Sequence, residues 1–131
     1  MKFGLTIGCL AVPLLVSGCM TAPPPLSPGD SIVTLHASPS NEMIARRLDK
    51  EMSTSLTRFV LREGRHDLEV GITRDDYNDT HRHCVGTLTY AQFKADEKYT
   101  LVERGVGREV TLVLVDSGNQ PVANTNQVAC L

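Results

Sequence analysis

Apolar and polar residues alternate with a period of two along much of this chain, the signature of strands that bury one face. The clearest run is Arg65 to Thr73, where Leu68, Val70 and Ile72 fall on one side and Asp67 and Glu69 on the other. Before it, Arg58 to Arg62 alternates around Phe59 and Leu61, and Glu63-Gly64 supplies a turn. Ser31 to His36 is β-prone and bounded by Gly29 and Pro39. After a polar loop from Arg74 to His83, the rhythm resumes over Val85 to Ala95 through Leu88 and Tyr90, then slips phase to Phe93. Such a slip predicts a bulge near Ala91-Gln92. Asp96-Glu97-Lys98 turns the chain into Tyr99 to Val102, and Glu109 to Val115 reads as a central strand. Asp116 to Asn119 is a further turn, and a last short strand runs from Val122 to near Cys130.

The interval 40–57 has two readings. Ser40 can cap a helix, and Ile44, Leu48, Met52 and Leu56 recur every fourth residue, a spacing that favours a short helix over roughly 41–52. The same residues also read as strand, loop, strand, with Met43 to Leu48 leading into Asp49-Lys50. About seven short strands in about 100 residues suit a mainly β fold, a small two-layer antiparallel β-sandwich. The chain has no tryptophan, which sets it apart from antibody-like domains within that class.

The first residues follow a different pattern. Lys2 precedes an almost unbroken apolar run from Phe3 to Val16, shorter than the roughly 20 residues a membrane-spanning helix needs. It reads as a secretory leader and stands outside the fold. The leader ends in Leu15-Val16-Ser17-Gly18-Cys19, which resembles a bacterial lipoprotein lipobox. The resemblance implies cleavage before Cys19 and acylation of its thiol, with chains such as palmitate holding the protein to a membrane. It divides the chain into a signal peptide, 1–18, an acylated cysteine with a tether, 19–29, and one β-rich periplasmic domain, 30–131. The tether contains Pro23, Pro24, Pro25 and Pro28, which favour extended polyproline geometry. In families that sort by the residue after the cysteine, Asp retains the protein in the inner membrane; Met20 therefore points to the outer membrane, periplasmic side.

In that oxidising compartment the cysteines left after Cys9 departs with the leader and Cys19 is acylated are Cys84 and Cys130, and an even pair predicts a disulfide. Free buried thiols or a metal pair are the alternatives. The formal net charge of −2 becomes one unit more negative without Lys2, so nothing suggests nucleic acid as a partner. The stretch Phe59 to Val70 resembles the strand, turn and strand of PEGA-like β domains, with Glu63 where proline is usual. Leu88 to Leu101, with Phe93-Lys94-Ala95 and Tyr99-Thr100-Leu101, resembles a later part of the same domains in small envelope lipoproteins. That resemblance implies a module that binds or spaces other components, with no cofactor.

Candidate chemistry is sparse. His81 and His83 share a face if extended, and His36 and His66 can join them to hold zinc or copper, although Arg82 opposes a cation there. Asp75, Asp76 and Asp79 lack the spacing and closing Glu of a calcium loop. No glycine-framed serine marks a hydrolase, so the chain does not read as an enzyme. Arg46 and Arg47, with Arg58, Arg62 and Arg65, are the candidate surface for an acidic partner. The leading expectation is a lipid-anchored binding or assembly module contacting an envelope protein. A small-ligand or metal carrier and a periplasmic inhibitor are the rivals.

Overall fold

The computed structural model describes Gly4 and residues 26–75, 80–105 and 109–131. Cys19, the leader apart from Gly4 and most of the tether lie outside the described residues. Within them the chain forms ten strands and no helix: β1 (Ser31–His36), β2 (Glu42–Leu48), β3 (Glu51–Met52), β4 (Arg58–Leu61), β5 (Gly64–Asp75), β6 (His81–Phe93), β7 (Lys98–Arg104), β8 (Thr111–Val115), β9 (Pro121–Thr125) and β10 (Val128–Cys130). They pack as two five-stranded sheets. The first has the order β4-β1-β7-β8-β9 and the second β10-β6-β5-β2-β3.

The inward positions follow the period-two pattern. Leu68, Val70 and Ile72 of β5 and Cys84 and Leu88 of β6 face Val33, Phe59, Leu101, Leu112 and Leu114 of the first sheet, all of them buried. Gly86 also faces inward, because a Cβ there would stand 2.9 Å from both Leu112 Cδ1 and Val128 Cγ2. The predicted bulge is present. Gly64 pairs with Phe93 but His66 pairs with Tyr90, so β6 carries one more residue than β5 across Ala91-Gln92.

The helix expected over 41–52 is a hairpin instead. Met43 and Ala45 point inward at strand spacing and pair with Ile72 and Val70 of β5. Met52 and Leu56, half of the four-residue pattern, are exposed. Asp49 and Lys50 take φ of 51° and 72°, the two positive values a tight β-hairpin turn needs. Ser40 caps nothing; it sits in the β1–β2 turn with φ 69°. A burial face supplied by β5 outweighs a weak four-residue repeat.

Three further departures concern connections. One pair, β1 with β7, is parallel, so the first sheet is mixed. Gly64, at φ 114°, does not close a hairpin: β4 pairs with β1, whereas β5 pairs with β2 and β6, so the turn carries the chain between sheets. Strands β5 and β6 also extend to Asp75 and back from His81, well into the polar stretch expected as loop.

The structured part begins earlier than Asp30. Ser27-Pro28-Gly29-Asp30 is a hydrogen-bonded turn, Asp30 N donating to Ser27 O at 3.0 Å, with Gly29 at φ 90°. Gly29 N donates to Asp96 Oδ1 at 2.8 Å, tying this turn to the β6–β7 corner. At that corner Tyr99 is buried, and its hydroxyl accepts from Lys94 N at 2.9 Å and donates to Glu97 Oε2 at 3.2 Å. Buried Ser31 donates its hydroxyl to Lys94 O and accepts from Glu97 N at 3.1 Å.

Candidate functional site

The histidines do not converge. His36 ends β1 in the first sheet, whereas His66, His81 and His83 lie in the second. His66 has both ring nitrogens committed, Nδ1 to Asp49 Oδ2 and Nε2 to the Arg62 carbonyl, each at 2.6 Å. His81 Nδ1 lies 2.6 Å from Asp75 Oδ1, and His83 Nδ1 lies 3.5 Å from Thr73 Oγ1. Among the described residues no three His, Cys, Asp or Glu side chains gather as metal ligands. Asp76 and Asp79 lie outside those residues. Cys84 and Cys130 are directly opposed on β6 and β10 and are joined as a disulfide.

The Asp49–His66 pair is a structural clasp. Asp49 Oδ1 also accepts from Asp67 N at 2.8 Å, and Asp67 Oδ1 in turn accepts from Thr89 Oγ1 at 2.6 Å. Burial raises the Asp49 pKa, but the Asp67 amide and the hydrogen bond and charge interaction with His66 outweigh it, and the carboxyl is held below its ordinary value. A depressed carboxyl contributes stability that is complete above its unfolded value and is lost as pH falls through the folded one. The side chain is nearly half exposed, so the contribution is about 1 kcal/mol or less, as for other exposed pairs. Asp49→Asn keeps a residue suited to positive φ while removing the charge. Thermal melts between pH 5 and pH 2 are expected to fall less steeply for this variant than for the parent, and equal slopes would refute the assignment.

The most organised surface is the outer face of the second sheet, where the register aligns side chains in rows. Ile44, Gly71, Val85 and Ala129 form one row across β2, β5, β6 and β10. A polar row, Glu42, Thr73 and His83, flanks it on one side, and Arg47, Glu69 and Thr87 flank it on the other. Gly71 leaves a gap that the stem of Arg46 crosses: a Cβ at Gly71 would stand 3.0 Å from Arg46 Cδ. The result is a shallow cleft of about 250 Å³ lined by Glu42, Ile44, Arg46, Thr73, His83 and Val85. Beside it Glu69 Oε2 is buried without a hydrogen bond among the described residues, and Arg47 Nε stands 3.6 Å away.

The five arginines are divided. Arg46 and Arg47 belong to this face through a bulge in β2 between Ala45 and Arg47. Arg58 lies on β4 in the first sheet, Arg62 faces Asp30 at 3.8 Å, and Arg65 is exposed early in β5. Composition pointed to the arginines, but the apolar row depends on strand register, which the sequence does not display. Buried Glu103 is another residue the pattern missed. Its carboxylate accepts from Asn41 Nδ2 at 3.0 and 2.8 Å, and Asn41 Oδ1 accepts from Asp75 N at 3.2 Å, which binds β7 to the end of β5.

Among the described residues no helix is long and apolar enough to cross a membrane. No protein-family model matches the chain, and neither the curated proteins nor the solved structures provide a match.

Proposed function

We propose that this chain is a lipid-anchored binding or assembly module of the bacterial cell envelope, held at the outer membrane through acylated Cys19 and contacting a periplasmic protein partner. The lipobox-like run Leu15 to Cys19 supports the anchor. The aligned apolar row Ile44, Gly71, Val85 and Ala129 between two polar rows carries the binding reading. An apolar centre with a polar rim is the ordinary anatomy of a protein interface.

Photo-crosslinking side chains at Ile44 and Val85, used in intact cells, are expected to label one and the same polypeptide. Arg46→Glu is expected to reduce that labelling. A control position such as Arg104, at the end of β7 in the other sheet, is expected to leave the polypeptide unlabelled. Equal labelling from all three positions would remove the support for this face.

A further inference from the structure

Three large apolar side chains are exposed along one lateral edge of the sandwich: Met52 at 83%, Leu56 at 63% and Leu26 at 45%. That edge is formed by the outermost strands β4 and β3 of the two sheets. Leu26 and Thr54, which stands between Met52 and Leu56 in the chain, line the same open groove of about 640 Å³ beside Leu48, Val60 and Leu61. The exposure does not come from a loose loop. Ser53 N donates to Arg46 O and Ala45 N donates to Leu56 O, both at 2.8 Å, and Ser53 Oγ donates to Ser55 O at 2.6 Å. Apolar side chains held outward on a fixed backbone are arranged for a surface that covers them.

The position of the anchor identifies that surface. Because the Ser27–Asp30 turn is already part of the fold, seven residue steps separate Cys19 from Leu26. Fully extended they span at most about 25 Å. An acyl group on Cys19 therefore keeps the Leu26 edge close to the bilayer. Tethering makes contact with that bilayer an intramolecular event, so a small apolar area suffices. Near this edge Arg62 faces Asp30 at 3.8 Å, Arg47 faces Glu69 at 3.6 Å, and Lys50 is followed by Glu51, so the attraction is apolar and does not call for anionic lipid.

We infer that the edge carrying Leu26, Met52 and Leu56 docks on the lipid surface that holds Cys19, these side chains entering the headgroup layer while the apolar row Ile44, Gly71, Val85 and Ala129 stays open to a partner. This rests on the lipoprotein reading. The chain contains no tryptophan, so single tryptophans report without background. Met52→Trp and Leu56→Trp place the reporter on this edge. Gln127→Trp places it at the opposite one, between β9 and β10. The full-length proteins, isolated with the modification their cells attach, are reconstituted into phosphatidylethanolamine vesicles with and without phosphatidylglycerol.

The expected result is emission at shorter wavelength, quenched by brominated lipid, for Trp at 52 and 56 in both vesicle types, and no change at 127. Tryptophan favours the interface, so the reporters do not oppose docking. Emission at 52 and 56 that stays at the solvent-exposed wavelength on vesicle-bound protein overturns the proposal. A shift that appears without vesicles and grows with protein concentration also overturns it, in favour of a second copy covering the edge. A mass spectrum showing Cys19 unmodified overturns it by removing the anchor, a failure separate from the fluorescence.

Discussion

Replacing Cys84 and Cys130 together by alanine is expected to lower the stability of the domain by about 4 kcal/mol. The two residues face each other across β6 and β10, with Cα atoms 4.0 Å apart and 46 positions between them in the chain. In the chain-entropy account, a closed loop of that size removes about 4 kcal/mol of freedom from the unfolded state, and native disulfides in small secreted domains are worth 2–5 kcal/mol. The effect has a location as well as a size. Strand β10 is three residues long, forms the outer edge of its sheet and pairs with β6 alone. Val128 packs under it against the space left by Gly86, and Leu131 N donates to His83 O at 3.0 Å. Without the cross-link these few contacts must hold the C-terminus unaided. For a domain near 100 residues, each kcal/mol moves the melting temperature by about 4–8 °C, so a fall of roughly 15–30 °C is expected. Thermal melts of the oxidised parent, the reduced parent and the double variant measure it, with amide exchange rising first in β10. A double variant melting within a few degrees of the oxidised parent would show that the bond spans a contact already secure.

Tyr99 is expected to give the other large effect, and two substitutions separate its ring from its hydroxyl. The ring stacks edge-on against Phe93, with centroids 5.0 Å apart, and lies 6.3 Å from Tyr90. It is among the largest fully buried side chains, so Tyr99→Ala is expected to cost about 3–5 kcal/mol. The hydroxyl bridges the corner at which the chain leaves β6 in one sheet and enters β7 in the other. Such a tyrosine-to-backbone bond at a strand corner is a known device of β-sandwiches. Tyr99→Phe leaves the Lys94 amide without its acceptor and is expected to cost about 1–3 kcal/mol. Burial, reinforced by the Glu97 carboxylate, raises the phenol pKa above 10 despite the opposing Lys94 bond, so the hydroxyl stays protonated through the neutral range. Urea denaturation of both variants checks the order. A phenylalanine variant as stable as the parent would reduce the corner to packing alone.

The period-two runs were legible because each strand buries one face against the other sheet, and that constraint is written into every second residue. Leu68, Val70 and Ile72 read correctly for this reason, as did the phase slip before Phe93. The stretch 41–52 misled because Ile44, Leu48, Met52 and Leu56 repeat at helical spacing, whereas Met43 and Ala45 are buried in the core and, of the four, Leu48 alone packs against it. A repeat of which Met52 and Leu56 end up exposed gains less burial energy than the alternation of Met43 and Ala45, and so does not choose the structure. The histidines and arginines were visible as types, but their grouping was not. Imidazoles close in the chain, His81 and His83, found separate partners in Asp75 and Thr73.

By itself the sequence determined a mainly β domain, the positions of most strands, the bulge and the cysteine pair available for bonding. Those features follow from local alternation and turn chemistry and, for the cysteines, from the even pair that the secretory-leader reading leaves. Tertiary structure alone decided which strand lies beside which. It made β1 and β7 parallel, sent the chain from one sheet to the other at Gly64, and aligned Ile44, Gly71, Val85 and Ala129 from four strands into one row. The physical reason is that strand pairing is set by hydrogen bonds and packing between residues distant in the chain, which no pattern along a single strand encodes.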